Sequence, residues 1–215
     1  MDKLIIDDNI SIYYNNCDLD YIINISDYFK NNYKSVMKFF NISKLDKNLN
    51  ITFYDNSFDF INELYSYTGL KPPFWVTSSS RNNKNDSFSR IDSLSLDNIK
   101  NIDYHKNDSI DDLNKCIIHE FVHVCHSQSC DYNYPKELLL VEGVAEYLAK
   151  QDENCKMSSS ITDILSNEYV DYSNYRYVFN LLVDNYSHDE LLDILNNNSK
   201  FDSNVIINLL NKKEQ

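Results

Sequence analysis

Glycine and proline are scarce, two and three in 215 residues, which excludes collagen-like and low-complexity architectures. Basic residues are outnumbered by acidic ones, 20 to 33, for a net charge of −13 and a pI near 4.7. Such a surface repels phosphate backbones and anionic lipid, so neither nucleic acid nor membrane is expected as a partner. No apolar run reaches the ~20 residues needed to span a bilayer. The five cysteines (17, 116, 125, 130 and 155) are odd in number and contain no CxxC, so reduced thiols are expected rather than a disulfide framework. The segment Met1 to Asp8 carries acids where a signal peptide needs a basic flank and an apolar stretch. On this reading the protein acts in the cytoplasm.

What is present is enough for a core: 42% of residues are hydrophobic, with Tyr, Phe and Ile abundant. A chain of this length suits a single domain over 1–215. Its sheet-containing half would occupy about 1–130, and a helical half about 131–215. Residues 10–14 and 49–54 look like strands. From Asp18 to Phe40, apolar residues at Ile22, Ile25, Phe29, Tyr33, Val36, Met37 and Phe40 recur at helical spacing. Ser57 can cap a helix to about Tyr67, which Gly69 and Pro72-Pro73 stop. Phe74–Thr77 and Phe88–Leu96 read as two strands joined by a polar loop. Ser109 and Asp112 form a capping box for a helix to about Ser127, with Ile117, Ile118, Phe121, Val124 and Cys125 facing the core. Pro135 suits the first turn of the next helix, which ends near Lys150. Further helices are expected at 159–168, 173–186, 188–197, where Ser187 and Glu190 form a second capping box, and 203–212.

The stretch most specific in its chemistry is His119-Glu120-Phe121-Val122-His123, of the form HExxH. On a helix, residues four apart share a face, so the two imidazoles can converge on one metal ion. Glu120 then lies beside the metal's open position, where a carboxylate can take a proton from water. A catalytic zinc site needs a third protein ligand, and two His with one Glu is a known set. Glu142 can supply it; eighteen residues separate it from His123.

At this point the chain resembles the gluzincin metallopeptidases, in particular the aminopeptidase-N-like branch and the small peptidase-MA-like proteins. In those families HExxH is followed, at this spacing, by E-G-x-A-x-Y, which here reads Glu142-Gly143-Val144-Ala145-Glu146-Tyr147. The resemblance implies an α+β, zincin-like fold: a small mixed sheet packed on the active-site helix, with a C-terminal helical layer. It implies one zinc ion per chain, held by His119, His123 and Glu142, and hydrolysis of peptide or protein substrates with Glu120 as general base. A Tyr hydroxyl would stabilise the oxyanion. Tyr172 holds that place in the match, with Tyr175 and Tyr177 as substitutes because a bulky Tyr175 stands where the family has a small residue. Glu146, one turn beyond Glu142, would accept a hydrogen bond from a zinc-bound His or be an ordinary helical glutamate. A glycine inside a helix costs ~1 kcal/mol against alanine, so Gly143 either answers a neighbouring backbone or substrate that needs its space or is a tolerated neutral glycine. Residues 88–96 would be either the edge strand that pairs with substrate in this family or an ordinary edge strand. The G-x-M-E-N segment that anchors a free amine in aminopeptidase-N relatives does not occur upstream, so an endopeptidase is expected. The alternative is a catalytically silent zinc-binding structural or regulatory protein on the same scaffold. An intact Glu120 argues against that alternative, because a structural site needs no base. His105, His126 and His188 are not assigned to the metal, and Cys116 reads as a packing residue. The sequence carries no sign of the oligomeric state.

Overall fold

A computed structural model describes residues 1–15, 19–132, 137–156, 172–196, 204 and 206–208. The chain is α+β, as its patterning implies, and forms two compact units, Met1–Gln128 and Ser129–Gln215.

The first unit is built on a five-stranded mixed sheet. Its strands are β1 (Asp2–Asp7), β2 (Ile10–Tyr14), β3 (Leu49–Tyr54), β4 (Ser78–Arg81) and β5 (Ser89–Leu94), in the spatial order β1-β2-β3-β5-β4. The inner pairs β2/β3 and β3/β5 are parallel, and the outer pairs β1/β2 and β4/β5 are antiparallel. Ile12, Ile51 and Ile91 are in register across the three inner strands, and all three are fully buried. Burying each such side chain contributes roughly 1.5–3 kcal/mol. The next row on the same face ends in Phe53, Ser93 and Ser78.

Two parallel pairings require two crossovers, and helices supply both. Helix α1 (Leu19–Phe39) links β2 to β3, burying Ile22, Ile25, Phe29, Val36 and Met37 along one stripe. Helix α2 (Ser57–Thr68) follows β3. Its cap is Asn56, not Ser57: the Asn56 side chain accepts from the Asp59 amide, and Gly69 closes the helix at φ 67°. Asparagine and serine are comparable N-caps, and here the Asn56 side chain makes the capping bond one residue earlier. After a one-turn helix α3 (Leu96–Ile99) and a 3-10 turn at Asp103–His105 comes α4 (Ile110–Ser129). The Ser109–Asp112 capping box is formed in both directions, amide to Asp112 Oδ2 at 2.8 Å and amide to Ser109 Oγ at 3.3 Å. Phe121 of α4 meets the Phe29 ring edge-on at 5.1 Å, which seats α4 on α1.

Three local expectations change. Phe74–Thr77 is not a strand: the Val76 amide turns back to the Pro73 carbonyl. The strand lies instead in the following tract, at Ser78–Arg81, where serines of weak strand propensity are held by pairing with β5. β5 itself is no edge strand, since it lies between β3 and β4 and is almost wholly buried. The N-terminal strand β1 was masked in the sequence by the charges of Asp2, Lys3 and Asp7, as befits an outer strand.

The second unit is helical over its described residues. It comprises α5 (Leu138–Ala149), α6 (Tyr172–Asn185) and α7 (His188–Asn196). α5 is described from Leu138; Pro135, expected in the first turn of this helix, and the helix expected at 159–168 lie outside the described residues, as does most of 203–212. Lys150 closes α5 in the left-handed region at φ 58°. The second capping box forms, with Ser187 N and Oγ both donating to Glu190 Oε2.

Candidate metal centre

α4 carries the HExxH stretch through its middle turns. The i, i+4 spacing places the His119 and His123 rings nearly perpendicular, 4.8 Å apart between centroids. His119 is 7% exposed, Glu120 9%, and His123 is half-buried. The helix is therefore buried around much of its circumference, with Val122 and His126 inside as well.

Glu120 is anchored from the sheet. The hydroxyl of Ser78, at the start of β4, donates to Glu120 Oε1 at 2.9 Å and lies 2.9 Å from Cys116 Sγ. β4 is tied to α4 again downstream: Asn82 Nδ2 donates to the Val124 carbonyl at 3.0 Å, and Ser127 Oγ to the Asn82 carbonyl at 2.8 Å.

Glu142 sits half-buried on α5, in the unit's own helical frame. The next residue, Gly143, has no room for a side chain: an added Cβ would meet the Tyr175 carbonyl oxygen and Phe179 Cβ, each at 3.0 Å. A neighbouring helix, rather than substrate, takes that space. Ligand atoms of His119, His123 and Glu142 all lie within 4.8 Å of one another, a group that could hold a metal ion. Two imidazoles and a carboxylate are donors suited to zinc and related divalent cations.

Glu146, one turn on, is 4% exposed, so it is not an ordinary solvent-facing glutamate. Its backbone carbonyl accepts from Arg176 Nη1, and the Arg176 guanidinium stacks 4.7 Å over the Tyr147 ring. Tyr172 is the first residue of α6, half-buried, its ring edge-on to Tyr175 at 5.9 Å. Tyr175 is 2% exposed, a core residue, and Tyr177 is half-buried.

The remaining histidines have other work. His126 is fully buried and stacked on Phe40 at 5.5 Å. His105 uses both ring nitrogens, toward Asp108 Oδ2 at 2.8 Å and the Trp75 carbonyl at 3.0 Å. His188 is exposed beside Asp189. Cys116, Cys125, Cys130 and Cys155 are in no disulfide among the described residues, and burial pushes the Cys130 thiol up to about 11.

Sequence reasoning missed a polar cluster on the opposite face of β5. Asp92 is fully buried and receives the Tyr54 hydroxyl at 3.1 Å and the Tyr67 hydroxyl at 3.5 Å. Arg90 Nε lies 3.6 Å from it, and the same guanidinium pairs with Glu63. Burial drives the Asp92 carboxyl up to about 6, against the pull of Arg90 and the Tyr54 hydroxyl. The alternation of β5 hid this aspartate, because only its pairing with β3 and the placement of α2 close both sides.

Among the described residues no helix is long and apolar enough to cross a membrane. No protein-family model and no curated protein matches the chain.

Proposed function

We propose that the chain is a zinc-dependent peptidase of the gluzincin type, cutting within peptide chains. One observation carries this reading: His119, His123 and Glu142 gather their ligand atoms within 4.8 Å, with Glu120 next to His119 in a partly dehydrated position. One zinc ion per chain would be held by those three residues. When bound, it supplies Lewis acidity toward a carbonyl and lowers the pKa of water from 15.7 to ~7.

The chain's own residues do the rest. A carboxylate oxygen of Glu120 accepts the proton of the attacking water and then delivers it to the leaving amine nitrogen. Tyr172 is assigned as donor to the carbonyl oxygen as negative charge develops there. Glu146 is assigned to orient a ligating histidine through the ring nitrogen that does not bind metal. An extended peptide would add to β4, the outer strand whose Ser78 contacts Glu120, not to β5. The acidic charge favours a peptide or protein substrate over nucleic acid or anionic lipid, and an odd set of five cysteines without CxxC suits a reducing compartment such as the cytoplasm.

The deciding experiment loads the protein with zinc, measures bound metal, and incubates it with a peptide library in free and N-acetylated forms, reading products by mass spectrometry. Internal cleavage insensitive to acetylation is expected. Stoichiometric zinc without any cleavage would favour the silent zinc-binding alternative. Strict dependence on a free amine would overturn the endopeptidase assignment. No bound metal after loading would sink the metal site itself.

A further inference from the structure

We infer that Ser78 is a positioning residue for Glu120, holding the base at a fixed place from the strand on which substrate would pair. The inference rests on the peptidase reading above and adds a residue to it.

The direction of the hydrogen bonds follows from the groups. An ionised carboxylate accepts only, so the single hydroxyl proton of Ser78 goes to Glu120 Oε1, 2.9 Å away. Ser78 Oγ then has only lone pairs to offer Cys116, 2.9 Å away. The Cys116 thiol must therefore be the donor in that contact, and the order is thiol to hydroxyl to carboxylate.

Both ends of this chain are fixed. Ser78 is held by its register opposite Ser93, and the adjacent Thr77 carbonyl accepts from the Leu94 amide at 2.9 Å. Cys116 and Glu120 are one turn apart on α4, whose Val124 carbonyl and Ser127 hydroxyl are bonded to Asn82 just beyond β4. A glutamate side chain has three rotatable bonds and would otherwise sample several rotamers. The bond to Oε1 selects one of them and leaves Oε2 to receive the proton. Ser78 acts through Glu120 and touches no reacting atom, so its effect belongs in turnover rather than in substrate affinity.

The test compares zinc-loaded wild type, Ser78→Ala and Ser78→Thr by two readouts, high-resolution crystal structures and steady-state hydrolysis. Ser78→Ala is expected to keep its zinc content, to lose the Glu120 rotamer, and to lower kcat ~10–100-fold at unchanged KM, as a base displaced by about 1 Å would. Ser78→Thr retains the hydroxyl and should restore both the rotamer and kcat. A Glu120 carboxylate that stays in place in Ser78→Ala overturns the inference, and so does a displaced carboxylate with undiminished kcat. If wild type cleaves nothing, the peptidase reading fails, while the crystallographic arm still decides whether Ser78 holds Glu120.

Discussion

Gly143 and Tyr175 come so close that a Cβ on the glycine would lie 3.0 Å from the tyrosine carbonyl oxygen. The second neighbour at that distance is Phe179 Cβ. Backbone and Cβ atoms cannot swing aside as a side-chain tip can. Gly143→Ala should gain ~1 kcal/mol of helix propensity and lose roughly 1–3 kcal/mol to overpacking. The net expectation is destabilisation, read as a lowered Tm of the metal-free protein. A Tm at or above wild type would mean that α5 and α6 do not approach this closely.

Glu120→Gln isolates the base from the ligands. The amide is nearly isosteric and can still accept from Ser78, so fold and zinc stoichiometry should be unchanged. Hydrolysis should fall ~10²–10⁴-fold, the usual worth of a positioned general base. Elemental analysis beside a turnover assay checks both halves. Loss of zinc in this variant would show that Glu120 is a ligand, and near-full activity would remove it from the mechanism.

Asp92 makes stability depend on pH. Its folded-state pKa of about 6 lies above its ordinary value of 3.8, so the native state holds this proton more tightly than the unfolded chain does. Its contribution is fully present below about pH 3.8 and is lost as pH rises through about 6. Asp92→Asn keeps an acceptor for the Tyr54 and Tyr67 hydroxyls and abolishes the titration. The stability of wild type minus that of Asp92→Asn should therefore be greatest near the lower of these pH values and fall toward neutrality. Paired denaturation curves across that window test it; a flat difference would show that burial does not perturb this carboxyl.

Tyr172→Phe tests the oxyanion donor. Removing one such donor typically costs ~10²–10³ in turnover, with little change in KM or bound zinc. Tyr175→Phe and Tyr177→Phe are the comparisons. Tyr175 is 2% exposed, so its effect should appear in Tm before turnover. If Tyr175→Phe alone cripples turnover, the role shifts along α6; if all three variants stay within a few-fold of wild type, the donor lies elsewhere.

What the sequence determined by itself was local. Helical spacing marked α1, the Ser109–Asp112 and Ser187–Glu190 boxes marked helix starts, and the four-residue step between His119 and His123 put both rings on one helix face. These follow from the 3.6-residue period and from partners three or four positions apart, which any reader of the chain can see. Gly143 was legible as a demand for space, but not as to whose. Tertiary structure decided that the claimant is the Tyr175 carbonyl, that a serine tract forms β4, that β5 is interior, and that His126 belongs to the core. It also joined Ser78 to Glu120, forty-two residues apart, and closed β3, β5 and α2 around Asp92. Contacts at such separations depend on which strands pair and which helix covers them. Side-chain alternation along a single strand carries no record of its neighbours.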